Sequence, residues 1–120
     1  MSNHKKNRHR REEQYLDLFS NEFIYIVSDG YDCYKVGKSK NPFRRCRRIN
    51  EQVDADVFLV GFYYDINQSM SVCEKQAHSR LSKFNHPYDY KNGAVGREWF
   101  RCDFKNIHDV LLCMGLDRVV

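Results

Sequence analysis

The stretch FIYIVSDGYDCYKVGKSKNPFRRCRR, residues 23–48, decides the fold. Its opening is β-branched and aromatic, and Glu22 to Ser28 is predicted to be a strand. It lacks the polar alternation of a half-exposed strand, so both faces are expected to be covered. Asp29-Gly30 is a turn signal, and Cys33 to Gly37 follows as the second strand of a hairpin. Asn41 reads as a helix cap with Pro42 at the first helical position. Phe43, Cys46, Ile49 or Asn50, and Val53 recur at helical spacing and should face the core, leaving the arginines on the remaining arc.

Upstream, residues 1–11 are polar and basic, the composition of a disordered tail. Residues 12–19 read as a short helix with Tyr15, Leu16 and Phe19 on one side. Downstream, Val57 to Ile66 is a long apolar third strand. Ser71 and Glu74 have capping-box spacing, and the helix after them carries Cys73, Ala77, Leu81 and Phe84 on one stripe. Residues 85–97, with Pro87, Gly93 and Gly96, read as a loop, and Glu98 to Arg101 as a short aromatic segment, strand or extended. Phe104 to Gly115 is an amphipathic helix ended by its glycine. The expected fold class is α/β (α+β), a small three-stranded antiparallel sheet flanked by helices in the order β-β-α-β-α-α. The expected organisation is a basic tail over 1–21, one domain over 22–115 and a C-terminal end over 116–120.

A chain of 120 residues suffices for one domain with a core, and eight Phe, eight Tyr and one Trp supply it with bulk. No run approaches the roughly 18 apolar residues of a membrane span, and no apolar stretch behind the basic N-terminus makes it a secretory signal. The five cysteines are widely spaced with no CxxC pair, which suits reduced core thiols in a cytoplasmic protein. Charge is strongly polarised. Residues 1–11 carry +5 and residues 35–48 carry +7, while the rest of the body carries about −8. A basic patch with a basic tail suits a polyanion such as nucleic acid, although a solvated helix face and a solubilising tail would read the same way.

Four groupings can carry chemistry. Tyr25 and Lys35 sit ten residues apart on the paired strands. A lysine beside a phenol favours the phenolate, which makes Tyr25 a candidate general base; the plain alternative is a packed tyrosine and an exposed lysine. Gly37 at the strand end admits close backbone approach, and Arg45 in the helix that follows can grip a phosphate through two hydrogen bonds. Which of Arg44, Arg45, Arg47 and Arg48 points inward is open at this level. Glu74 and His78, four apart on a helix, share a face; a carboxylate there suits one Mg²⁺ or Mn²⁺, and a helix cap is the competing role. Glu98, before Trp99-Phe100, is a further acid. Asn92, Asn85 and His86 are weaker candidates, and His4 and His9 belong to the tail. No GxSxG, Walker-type loop, HExxH or RRM-like motif is present.

Together these residues resemble the GIY-YIG nuclease superfamily. Ile24-Tyr25-Ile26 stands where that family has Gly-Ile-Tyr, and Lys35-Val36-Gly37 where it has Tyr-Ile-Gly. KVGKS at 35–39, NPFRR at 41–45, EKQAH at 74–78 and EWF at 98–100 are similar to the branch found in phages and large viruses. The first family glycine is replaced by Phe23 or stands one step out of register, Lys35 replaces the second tyrosine as in some restriction-type members, and Asn92 is the one counterpart suggested for a late asparagine. The resemblance, over roughly 22–115, implies a metal-dependent DNA endonuclease. Tyr25 would take a proton from water, with Lys35 assisting and Arg45 stabilising the phosphoryl oxygens. Glu74 would hold one Mg²⁺ (or Mn²⁺), and His78 would position groups or donate a proton. Gly37, Lys38, Ser39, Lys40, Arg44 and Arg48 would contact phosphate and DNA. The runner-up expectation is a catalytically silent nucleic-acid-binding module, and a third is a regulator of a protein partner.

Overall fold

The computed structural model describes residues 21–120, so the expected basic tail and the short helix over 12–19 lie outside the described residues. The hairpin forms as expected, from β1 (Phe23–Ser28) and β2 (Cys33–Ser39). Its loop is built on Asp29, whose Oδ1 accepts the amides of Tyr31 and Cys33, and on Gly30, whose φ of 84° is reached without steric cost. Helix α1 (Pro42–Gln52) starts at Asn41, whose side chain accepts the Arg44 amide. β3 (Phe58–Tyr64) lies antiparallel to β1 on the side away from β2. Helix α2 spans Met70–Arg80, and α3 spans Phe104–Cys113.

The sheet has five strands rather than three. β6 (Trp99–Arg101) adds to β2 and β7 (Asp117–Arg118) adds to β3, giving the order β6-β2-β1-β3-β7, antiparallel throughout. Residues 85–97 also hold structure of their own, a two-stranded ribbon of β4 (Tyr88–Asp89) and β5 (Val95–Gly96). The added strands are two or three residues long, and their partners rather than their composition define them.

All six residues of β1 are buried, as its unbroken apolar sequence predicts. Its side chains alternate between two cores. Ile24 and Ile26 face α2 and α3, packing with Cys73, Ala77, Leu81, Ile107 and Leu111. Phe23, Tyr25 and Val27 face α1 and the aromatic ribbon, packing with Ile49, Val53, Phe62 and Trp99. Tyr88 stacks on Trp99 with centroids 4.3 Å apart, and the Trp99 indole N–H donates to the Tyr90 hydroxyl at 3.2 Å. The cysteines are all free, as expected, but only Cys33 and Cys73 are buried, and Cys113 is exposed. No helix among the described residues is long and apolar enough to cross a membrane.

Candidate active site

Strand register builds the site's first half. Tyr25 faces Gly37 across the β1–β2 ladder, and Lys35 lies two residues along β2 on the same face. With no side chain at Gly37, the Tyr25 ring lies directly over it; a Cβ there would stand 2.6 Å from the hydroxyl oxygen. The ring leans towards Lys35, whose Nζ donates to Tyr25 Oη at 3.0 Å. Lys35 is buried rather than exposed, so the plain alternative for it does not hold. Tyr25 is also completely buried.

The same ammonium donates to Glu98 Oε1 at 2.9 Å. Burial works against the charge on Lys35, but the Tyr25 phenol and the Glu98 carboxylate outweigh it and raise its pKa. Glu98 is placed by the sheet: its carbonyl accepts the Val36 amide at 3.0 Å, immediately before β6 begins. The Lys35–Glu98 contact spans 63 residues of sequence, and neither motif spacing nor periodicity signals it.

The second half comes from α2. Glu74 does not cap its helix. Ser69 is the N-cap, accepting the Val72 amide, while Ser71 instead accepts a hydrogen bond from Lys38 Nζ at 2.8 Å. Glu74 is thereby free to face the sheet edge with His78, one turn on. Glu74, His78 and Glu98 each bring a donor atom to within 4.8 Å of the others. Partial burial, and then the like charge of Glu98, push the Glu74 carboxyl pKa up, against the pull of His78, Lys38 and Lys35. His78 Nε2 donates to the Val36 carbonyl at 2.6 Å. A carbonyl only accepts, so Nε2 carries the proton and Nδ1 is the nitrogen available to a ligand.

The remaining candidates separate. Of the four arginines on α1, Arg45 is partly buried one turn before Ile49, while Arg44, Arg47 and Arg48 are exposed. Among the described residues, no hydrogen bond or ion pair joins Arg45 to Tyr25, Lys35 or Glu74. Lys38 is engaged by Ser71 and, at 3.6 Å, by Glu22. Ser39 accepts the Asn41 amide, and Lys40 is exposed. Asn92 is not brought to the site; it accepts the Ala94 amide at the tip of the β4–β5 ribbon. A second trio, Asp29, Asp32 and Cys33, also lies close together. It belongs to the hairpin turn: Asp29 is occupied by backbone amides and the Tyr88 hydroxyl, and burial pushes the Cys33 thiol up to about 11.

The arrangement is therefore a line of polar groups around the middle of β2, running Tyr25, Lys35, Glu98, then Glu74 and His78. It holds a phenol for proton transfer, an ammonium for an anionic oxygen, and a carboxylate pair that repels itself and would welcome a cation. Two carboxylates with an imidazole suit a hard or borderline divalent ion. Against known proteins, the sequence profile of the T5orf172 domain matches residues 22–115. Searches of curated proteins and of solved structures gave no significant match.

Proposed function

The chain belongs to the T5orf172 domain family, and from that premise we propose that it is a metal-dependent endonuclease of the GIY-YIG type acting on DNA. The family is phage-associated and occurs in nuclease-like, GIY-YIG-related proteins. The observation that carries the proposal is the convergence of Tyr25, Lys35, Glu98, Glu74 and His78 around the middle of β2.

In this reading Tyr25 acts as the phenolate, paired with the Lys35 ammonium. It takes a proton from water to become the phenol, the resulting hydroxide attacks phosphorus, and Lys35 offers its remaining donors to the phosphate. Arg45 approaches from α1 to neutralise the phosphoryl oxygens. Glu74, with Glu98 and His78 beside it, would hold Mg²⁺ or Mn²⁺, which supplies Lewis-acid polarisation of the phosphate when bound. The His78–Val36 bond orients the imidazole for that role. Lys40, Arg44, Arg47 and Arg48 form the basic surface that grips backbone phosphates without reading sequence.

The complete burial of Tyr25 favours a second reading, in which the scaffold binds nucleic acid without cutting it. One experiment separates the two. Supercoiled plasmid is incubated with Mg²⁺ or Mn²⁺ and wild type, Tyr25→Phe or Glu74→Ala. Nicking by wild type alone supports the nuclease. Equal inertness, with DNA retained on a gel at low salt, supports the binding module.

A further inference from the structure

We propose that Glu98 is a shared carboxylate, held by Lys35 in the structure described and turned towards a divalent ion when Glu74 binds one, so that ion binding frees the Lys35 ammonium for a phosphate. This rests on Glu74 as a metal ligand, and it adds a residue and a coupling to that reading.

The two ends of the Lys35–Glu98 contact differ in freedom. The Lys35 side chain is 9% exposed, pairs across the ladder with Trp99 and is bonded to Tyr25. The Glu98 side chain is 42% exposed. Its backbone is fixed by the bond from the Val36 amide, so rotation of the side chain is the movement available. From that fixed root, the carboxylate lies within ligand distance of Lys35 on one side and close to the Glu74 and His78 donors on the other. Only Oε1 is bonded to Lys35, so a rotation that gives both carboxylate oxygens to an ion at Glu74 takes that oxygen from the ammonium, and the two cations compete for it.

The competition has a consequence for substrate. A buried ammonium that loses its carboxylate partner is costly, because the desolvation of the charge is no longer offset. A phosphate oxygen arriving at the same position restores a charge-assisted hydrogen bond. Without an ion, Glu98 occupies Lys35 and repels the phosphate. With one, the repulsion is neutralised and the ammonium is available. Ion and phosphodiester should then each raise the affinity of the other by the same factor.

The test measures Mn²⁺ binding by calorimetry and by the spin-resonance signal of free Mn²⁺, with no substrate present. Glu98→Gln should weaken Mn²⁺ about tenfold or more, and Glu98→Asp, which keeps the charge, should recover part of the loss. Lys35→Met removes the competitor and should tighten Mn²⁺ severalfold where Glu98 is intact, but not in the Glu98→Gln background. Melting curves confirm that each variant is folded. Unchanged Mn²⁺ affinity in Glu98→Gln overturns the proposal while leaving Glu74 as a ligand. Equal tightening by Lys35→Met with and without Glu98 also overturns it, since that is only the field of one charge. If wild type binds no Mn²⁺, this proposal and the metal part of the function fall together, whereas retained DNA binding would still support the binding module.

Discussion

Gly37 and Tyr25 form one unit. Alanine at position 37 would place a methyl 2.6 Å from the phenol oxygen and 2.8 Å from Cζ, inside a packed core that offers the ring no easy retreat. Gly37→Ala should cost about 1–3 kcal/mol of stability, as overpacking does, read as a lower denaturant midpoint. It should also abolish any cleavage, because the ring loses its bond with Lys35. Glu74 has the opposite signature. Its pKa is raised by burial and by Glu98, so the folded state binds more protons than the unfolded state across the window above its ordinary value of 4.5. Stability from this group is therefore full below about pH 4.5 and falls as pH rises through the raised value. Glu74→Gln should melt a few degrees higher than wild type at pH 7, with the gap closing towards pH 4. A gap that widens in acid would contradict the assigned sign. At this scale the sequence shows Tyr25 and Lys35 as a pair, because hairpin register is a local property. It shows Glu98 only as a further acid, because the contact that gives it a role closes a loop of 63 residues.

Elements were legible where they announce themselves with local chemistry. The Asp29-Gly30 turn and the Asn41-Pro42 start both form as their residue types require. Asn41 is buried, and its side chain satisfies the Arg44 amide. Asn41→Ala should cost about 1 kcal/mol, and thermal melting monitored by circular dichroism would show it. Asn41→Ser should restore most of that loss. The start of α2 was less legible because two serines compete for it. Ser71 has the capping spacing, but tertiary structure gives its hydroxyl to Lys38 and leaves the cap to Ser69. That outcome removes the capping role from Glu74, and no local pattern distinguishes it. The edge strand β7 and the β4–β5 ribbon escaped the sequence for a related reason, whereas the aromatic run at β6 read as strand or extended. Segments of two or three residues carry no periodicity, and the β4–β5 ribbon is anchored to the sheet by Tyr88 stacked on Trp99, a contact outside the ribbon itself.

Across the whole molecule, charge separates by element. Lys40 and the α1 arginines Arg44, Arg47 and Arg48 are exposed, while the carboxylates of the candidate site, Glu74 and Glu98, lie on α2 and beside β6. If the proposed nucleic-acid contact is right, Lys40→Ala and Arg48→Ala should each lower the slope of log affinity against log salt by about 1, with little change in sequence preference. Fluorescence anisotropy over a salt series checks this, and an unchanged slope would remove α1 from the interface. The sheet itself also sets how the molecule comes apart. β1 contributes alternate residues to two separate cores, so neither core can open while the strand stays in place. Its amides at Ile24, Ile26 and Val27 should therefore exchange with solvent only at the rate of global unfolding, with the same denaturant dependence. The β4–β5 ribbon, shorter and largely exposed, should exchange earlier by local fraying. Two cores divided by a common strand thus make one cooperative unit, and a mutation in either should lower the exchange protection of both.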